Sequence, residues 1–171
     1  MILVMTAGMA CYHGNGLSPD PGTEDVSGIQ GRVTFTGVWP DSTKEVRVAA
    51  MKHYPDGITD PDSLMTFVFN AYMKEELVFS DTLQRFVRET EYRLALNPDI
   101  YAWVLVAWFP DIPDYLTGVK ELGAFYRDPD DTETPSPVVV IPGVMTPDID
   151  IVADLGYVER TVPFFKQKMT Q

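Results

Sequence analysis

The chain has 171 residues, of which 45% are hydrophobic, and it carries 13 basic against 25 acidic side chains, a net charge of −12. This length and composition indicate one globular domain with tails and argue against disorder. Such an acidic chain repels phosphate backbones, which argues against nucleic acid as a partner and against a basic patch for anionic lipid. A single cysteine excludes an internal disulfide, and two histidines leave little material for a metal site or a general base.

Residues 1–11 are predicted to be a signal remnant that ends at a lipid-attachment site. Met1–Ala10 is apolar with small residues toward its end, and it is shorter than the roughly 20 residues that span a bilayer. Gly8-Met9-Ala10-Cys11 resembles a bacterial lipobox, in which cleavage leaves a lipid-modified Cys11 as the new first residue. Gly8 stands where a leucine-like residue is usual, and the first basic residue is Arg32. Ordinary secretion and a cytosolic protein with a free thiol are the alternatives.

Residues 12–27 are rich in Gly, Pro, Ser and Asp, a composition typical of a flexible tether. Lipoproteins commonly carry such a tether between the lipid and the folded domain. The two segments together predict a bacterial cell-envelope protein, periplasmic or surface-exposed, attached to the membrane through a lipid on Cys11.

Residues 28–157 are expected to form one β domain, and two alternating stretches open it. Ile29–Val38 places Val33 and Phe35 on one face and polar side chains on the other. Glu45–His53 alternates in the same way. Both stretches predict half-buried strands, because period-2 alternation puts every second side chain on the same face of a sheet.

Residues 60–79 break this alternation and predict a helix or an irregular insertion that lies on the sheet. Asp60 or Asp62 is a candidate N-cap, followed by apolar residues at helical spacing. A strand through Thr66–Phe69 is the alternative. The apolar stripes are interpreted as core, with a partner-binding face as the other interpretation. The candidate partner surface here comprises Phe67, Phe69 and Tyr72.

The most apolar stretch of the domain is Ile100–Phe109, which has no charge and is apolar on both faces. Its length, its flanking turns and its β-branched and aromatic residues predict a central strand. Trp103 and Trp108 are expected to be core residues. A strand that is apolar on both faces needs cover on both, so we expect a second sheet on one side and residues 60–79 or a partner on the other.

Five shorter stretches complete the predicted strands: Leu83–Val87, Glu91–Leu96, Leu122–Arg127, Val138–Ile141 and Asp148–Leu155. Short strands separated by Pro/Gly turns predict a mainly β fold, a seven- to eight-stranded antiparallel β-sandwich. Residues 158–171 are predicted to be a C-terminal tail, whose Phe164 and Phe165 add to the candidate partner surface.

Four stretches of the domain together resemble a known family: Gly31–Gly37, Val46–Ala50, Tyr92–Leu96 and Tyr101–Ala107. Their glycines and strand pattern are similar to those of the carboxypeptidase-regulatory-like domains, over roughly residues 28 to 155. The resemblance implies a prealbumin-like (transthyretin-like) β-sandwich. It also implies a non-catalytic role in binding, adhesion or assembly, since such domains in bacterial envelope lipoproteins serve in this way. The chain differs from the family at the Asn97-Pro98-Asp99 turn and at residues 60–79.

No catalytic motif is present: the sequence has no G-x-S-x-G, H-E-x-x-H, C-x-x-C or Gly-rich phosphate loop. We therefore expect neither enzymatic activity nor a cofactor.

The acidic loop could ligate calcium, which prefers several carboxylate oxygens, although a solvated loop is the simpler interpretation. The candidate calcium ligands are Asp128, Asp130, Asp131 and Glu133. Trp39, beside a turn, is the tryptophan expected to be exposed and is the candidate for stacking on a sugar.

These observations predict a non-catalytic, lipid-anchored extracytoplasmic protein that docks on a protein partner. It would be an accessory or structural subunit of a membrane-associated complex. The apolar surplus in residues 60–79, 100–109 and 162–165 suits an interface core enriched in aromatic residues and Met. The alternative is a surface module that binds a glycan or another ligand.

Overall fold

The computed structural model describes residues 26–58, 60–113, 118–128, 130 and 132–159. Over this part of the chain the protein is mainly β, as the sequence predicts for the fold class. These residues form ten strands, where the sequence predicts seven or eight, and two helices. Within the same residues, no helix is long and apolar enough to cross a bilayer.

The first sheet is built on β1 (Gly28–Thr36), which has neighbours on both sides. β4 (Glu89–Ala95) runs antiparallel to β1 on one side. On the other side, β9 (Met145–Thr146) and β10 (Ile151–Asp154) both run parallel to β1. The pairing of β1 with β4 is antiparallel, as expected. The parallel pairing of β1 with β9 and β10 is not predicted by the sequence. Side-chain alternation specifies the buried face of a strand but not its direction, so the sequence pattern could not distinguish the two.

The second sheet has the strand order β3 (Leu77–Phe79), β2 (Thr43–Met51), β6 (Trp103–Pro110) and β7 (Lys120–Ala124), and every neighbouring pair is antiparallel. All eight residues of the interior strand β6 are buried. This confirms the prediction of a central strand that is apolar on both faces.

Several strands differ from the sequence prediction, and two of the differences change the topology. β3 and β9 are not predicted as strands, and β7, β8 (Val138–Val139) and β10 have other bounds than predicted. The predicted strand Ile100–Phe109 is split, because β5 (Ile100–Tyr101) pairs with β8 in a ribbon of its own. The prediction of a strand at Leu83–Val87 is wrong. Phe86 has a φ of 59°, outside the extended region, so the stretch cannot continue as a regular strand.

A helix, α1 (Pro61–Met73), forms where the sequence predicts a helix or an insertion. Asp60 is its N-cap: the Oδ2 atom of Asp60 accepts a hydrogen bond of 2.8 Å from the backbone N–H of Ser63. The N-terminal N–H groups of a helix have no partner within the helix, so this contact stabilises the first turn. The helix ends at Met73, a turn follows, and the last three residues of the predicted segment form β3.

The core has two parts, one on each side of the second sheet. The first lies between the two sheets and includes Val33, Phe35, Tyr92, Ile151, Val48, Val106, Trp108 and Leu122. The second lies on the outer face of the second sheet and includes Met51, Trp103, Leu105 and Phe109, with Phe67 and Val68 of α1 packed against it. α1 therefore supplies the second cover that β6 requires. Trp103 and Trp108 are core residues, as predicted.

Buried polar groups in the first part of the core are hydrogen-bonded. The Tyr92 hydroxyl donates a 2.7 Å bond to the Ile149 carbonyl, and burial raises the pKa of this hydroxyl. The Trp108 indole N–H donates to the Thr43 hydroxyl at 2.9 Å.

The described chain ends in a one-turn helix, α2 (Gly156–Glu159), which spans the boundary predicted at residue 157.

The cap at Asp60 gives a pH-dependent prediction. Hydrogen bonds from Ser63 hold the pKa of Asp60 below its ordinary value of 3.8. A lowered folded-state pKa means that the carboxylate stabilises the protein above the unfolded pKa, and that this contribution is lost as pH falls through the folded pKa. Asp60→Asn keeps a capping side chain but removes the titration. We expect the stability advantage of the wild type over Asp60→Asn, measured by urea unfolding, to shrink as pH falls below 3.8. An advantage that stays constant with pH would contradict the assignment.

Candidate partner-binding surface

Large apolar side chains cover the outer side of α1. Phe69 is 60% exposed, Tyr72 57% and Met73 64%, and Met65 is also exposed. Their spacing of four, three and one residues places them on one side of a helix. Phe67, by contrast, is half-buried and packs against the sheet. Of the three helix residues predicted for the partner surface, the structure therefore directs Phe69 and Tyr72 outward and Phe67 inward.

An open groove of about 860 Å³ continues from this helix face. Tyr72 and Met73 belong to both, so the helix face and the groove form one surface. One wall of the groove is β3, and the opposite wall is the end of β4 with the turn at residues 95–98. Val26 and Ser27, which precede β1, also line it.

The groove exposes the backbone edge of a strand. Among the strands of the described residues, β3 is outermost in its sheet and pairs with β2 alone. The bonds from Lys52 N–H to the Glu76 carbonyl and from Ser80 N–H to the Val48 carbonyl show that even-numbered residues face β2. Because antiparallel pairing alternates along a strand, the N–H and C=O groups of Leu77 and Phe79 point away from β2. An extended peptide could pair with this edge.

Two charged residues, Arg47 and Glu75, line the groove near β3, and Arg47 is matched within the protein. The Arg47 guanidinium donates to the Glu45 carboxylate at 2.8 and 3.0 Å and to the Ser80 carbonyl at 3.1 Å. Burial raises the pKa of Glu45, but the hydrogen bonds from Arg47 and Thr82 outweigh it, so the pKa is lowered overall. The lowered pKa keeps the Glu45 carboxylate ionised beside Arg47. This end of the groove therefore presents a fixed polar group beside the apolar residues of β3.

The residue that links α1 to β3 is backbone-strained. Glu75 has a φ of 60°, in the left-handed region that glycine normally occupies just after a helix. We expect Glu75→Gly to raise the free energy of unfolding by about 0.5–1 kcal/mol, because glycine enters this region without the steric cost of a Cβ atom. Thermal unfolding of the two proteins would measure this. A lower melting temperature for Glu75→Gly would show that the glutamate side chain stabilises the turn.

Trp39 is less exposed than the sequence predicts. It is half-buried, and its indole N–H donates to the Val87 carbonyl at 2.9 Å. Its ring centroid lies 4.6 Å from that of Phe35 and 5.5 Å from that of Phe86. Phe35 and Phe86 therefore cover part of the Trp39 ring. Stacking of a sugar on Trp39 stays a prediction, and it would require Phe86 to move.

The structure describes only some of the remaining predicted site residues. The Asp128 side chain accepts a bond of 3.0 Å from the Asp130 N–H, so it is engaged in the loop itself. In the part of the chain that the structure describes, no three His, Cys, Asp or Glu side chains come together to hold a metal ion. Calcium binding stays a prediction, since one of its four ligands is not described. Four predicted site residues lie outside the described residues: Cys11, Asp131, Phe164 and Phe165.

Two parts of the surface escape prediction from sequence. Met73 belongs to the outer side of α1 because it lies four residues after Phe69, a helical spacing that could have identified it. The free edge of β3 had no comparable signal, because a strand of three residues is too short to show an alternation.

Comparison of the chain with protein-family models, with curated proteins and with solved structures gave no match. Function is therefore inferred from the residues of the chain itself.

Proposed function

We propose that this chain is a non-catalytic, lipid-anchored protein of the bacterial cell envelope that docks on a protein partner. It would serve as an accessory or structural subunit of a membrane-associated complex. The observation that carries this proposal is the cluster of exposed apolar side chains on the outer side of α1 (Met65, Phe69, Tyr72 and Met73), which adjoins the groove along β3. Aromatic residues and Met are enriched at the centres of protein interfaces, and an exposed patch of this kind on a soluble domain commonly marks a binding site.

The fold proposed for the domain is an antiparallel β-sandwich related to the carboxypeptidase-regulatory-like, transthyretin-like domains. The core shared by the two sheets supports it, because side chains of β1, β4 and β10 meet those of β2, β6 and β7 there. Such domains are usually binding or assembly modules, which agrees with the apolar surface, although fold alone does not determine function.

The anchor is proposed to be a lipid on Cys11, followed by the tether of residues 12–27. The described chain enters β1 directly after this tether, at Gly28. An intact mass of the native protein that includes Met1 and lacks acyl chains would exclude the anchor, whereas the docking proposal would be unaffected.

Docking itself can be tested on native membranes solubilised in a mild detergent. We expect the protein to migrate on a native gel with a complex larger than its own mass of 19.2 kDa. Stripping the membranes with a denaturing detergent before the gel is the control. Migration as a free monomer at every detergent concentration would contradict the subunit proposal.

The alternative is a surface module for a glycan or another small ligand, with the groove along β3 as its candidate site. It predicts binding on a glycan array, with loss of the signal on Trp39→Ala if stacking at that residue contributes. Array binding that instead disappears on Tyr72→Ala would place the ligand in the groove.

A further inference from the structure

The two-stranded ribbon of β5 and β8 presents an exposed aliphatic face. The two strands are antiparallel, and Ile100 lies directly opposite Val139. Ile100, Val139 and Ile141 are each more than half exposed, whereas Tyr101 and Val140 are buried. Side chains alternate between the two faces of an extended chain, and residues that lie opposite each other share a face. The three exposed side chains therefore lie together on the outer side of the ribbon.

A tight turn adds a fourth aliphatic residue to this face. The Val144 N–H donates to the Ile141 carbonyl at 3.1 Å, and Gly143 has a φ of 69°, which a turn of this kind requires. The turn places Val144, which is 43% exposed, beside Ile141. We call these four residues the ribbon face: Ile100, Val139, Ile141 and Val144.

The ribbon face lies where the chain enters the domain. The Ser27 hydroxyl accepts a bond of 2.8 Å from the Gly143 N–H, and the Gly28 N–H donates to the Val144 carbonyl at 3.1 Å. Both bonds join the first residues of the described chain to the turn of the ribbon face. The segment that precedes β1 and the ribbon face are therefore at the same end of the domain.

The proposed lipid anchor holds this end of the domain near a membrane. Ser27 follows Cys11 by 16 residues, so even a fully extended chain keeps Ser27 within about 55 Å of the lipid. The opposite end of β1 lies about 30 Å further away from this point of attachment. On average, the ribbon face is therefore closer to the bilayer than the far end of the domain.

The composition of the ribbon face suits lipid better than protein. It consists of Val and Ile alone, whereas hot spots of protein interfaces are enriched in Trp, Tyr and Arg, with Val under-represented. The segments that build it, residues 26–28, 97–101 and 138–146, contain one charged side chain, Asp99, although 22% of the whole chain is charged. Lys52 Nζ lies 2.7 Å from the Asp99 carboxylate, so this charge is matched. Insertion of the ribbon face into lipid would therefore not leave an unpaired ion without water.

Charge also selects the kind of lipid. The chain has a net charge of −12, and Glu24 and Asp25 directly precede Val26 in the sequence. The three segments that build the ribbon face contain no basic side chain. An anionic membrane surface attracts basic segments and repels acidic ones, so these charges favour a zwitterionic phospholipid.

We propose that the ribbon face rests on a zwitterionic phospholipid membrane, with its Val and Ile side chains in the boundary between headgroups and acyl chains. This inference rests on the lipid anchor proposed above and is independent of docking through α1. The anchor keeps the face at the membrane, so a contact too weak to hold the free domain persists in the anchored one. The contact orients the domain and limits its rotation about the tether.

The test supplies the anchor chemically. Because Cys11 is the only cysteine, the full-length chain can be coupled through it to a maleimide lipid in phosphatidylcholine vesicles. Bromine atoms on the acyl chains of these vesicles quench the fluorescence of a tryptophan that reaches them. Ile141→Trp reports on the ribbon face, and the wild type gives the background signal of the native tryptophans.

Val152→Trp is the matched control. Val152 is 63% exposed, but it lies on β10 opposite Thr34, about 20 Å along β1 from Gly28. We expect quenching at position 141 to exceed that at position 152 by about threefold or more, because inserted side chains reach about 5–10 Å into the headgroup and acyl boundary.

Two changes should remove the signal at position 141. Adding Val139→Asp to Ile141→Trp should reduce quenching to the level of position 152, because the new carboxylate would lose its hydration in the boundary. Val139 is exposed, so this variant should keep the melting temperature of its parent. Replacing part of the phosphatidylcholine with phosphatidylglycerol should also lower the quenching, and added salt should restore it.

Three results would overturn the proposal. Two are an absence of quenching at position 141 on coupled vesicles and equal quenching at positions 141 and 152. The third is an emission of Ile141→Trp that is already shifted to the blue in solution, which would show that another part of the chain or a second copy covers the face. An intact mass of the native protein without acyl chains would remove the anchor and this inference together, whereas an unquenched position 141 would remove this inference alone.

Discussion

Gly123→Ala is expected to lower the free energy of unfolding by about 3 kcal/mol or more. Gly123 lies in β7, and a Cβ atom built on it would collide with the backbone carbonyl oxygen of Val152 in β10. A backbone atom cannot rotate away as a side chain can, so one of the two strands must shift. The urea midpoint would fall while the m-value stays constant, as long as the native state keeps its compactness.

Gly57→Ala is the matched control for this effect. Gly57 has a φ of 71°, but no atom lies within 4 Å of the position its Cβ would take. Gly57→Ala should therefore lower the free energy of unfolding by only about 1 kcal/mol, the steric cost of a Cβ atom in the left-handed region. If Gly123→Ala were no more destabilising than Gly57→Ala, the close approach of β7 and β10 would be wrong.

The contact at Gly123 explains why the groove lies where it does. β7 and β10 are the edge strands on one side of the two sheets, and they approach each other backbone to backbone. β3 and β4 are the edge strands on the other side, and both line the groove. The two sheets are thus close on one side and leave an open groove on the other.

The double substitution Phe69→Asp with Tyr72→Asp is expected to weaken the proposed partner complex by about 100-fold or more. Aromatic residues near the centre of an interface each contribute about 2 kcal/mol or more to binding, and a carboxylate at the same place must be desolvated without a partner. Stability should change little, because both side chains are more than half exposed in the free protein. The fraction that migrates with the complex on a native gel measures the loss.

Thr66→Asp with Asn70→Asp is the control, since it adds the same two charges to exposed positions of α1. It should leave the complex intact. Equal loss in both double variants would indicate a general effect of charge on the helix, and no loss in either would remove the apolar face of α1 from the interface.

Much of this fold could be predicted from the sequence because its long strands bury one face. Val33 and Phe35 alternate with polar residues in β1, and Asp60, one of two candidate N-caps, lies at the start of α1. The buried, uncharged run in β6 identified the centre of the second sheet. Each of these signals is local, since it depends on the spacing of neighbouring side chains.

Features that depend on distant residues could not be predicted. The parallel pairing of β9 and β10 with β1 requires knowing where the chain returns after residue 140, which no local period encodes. Phe86 breaks a predicted strand because the ring packs on Trp39, a residue 47 positions earlier in the sequence. The same contact reduces the exposure expected for Trp39.

The candidate surface was predictable only in part, for a related reason. Phe67 and Phe69 are both aromatic and lie on adjacent apolar stripes of α1, and the sequence offers no means to decide which stripe meets the sheet. The choice follows from the side chains that β2 and β6 present to the helix. Residues such as Phe69 become candidates for a partner because the core is already covered by Phe67 and Val68.

Site-specific photocrosslinking in intact membranes would test the docking surface most directly. A photoreactive phenylalanine derivative would replace Phe69, and in a parallel variant it would replace Val152, which is similarly exposed at 63% but lies on β10. We predict that position 69 yields a crosslink to one protein in high yield and that position 152 yields none to that protein. A position 69 that forms no crosslink, or that crosslinks no more than position 152, would contradict docking through α1.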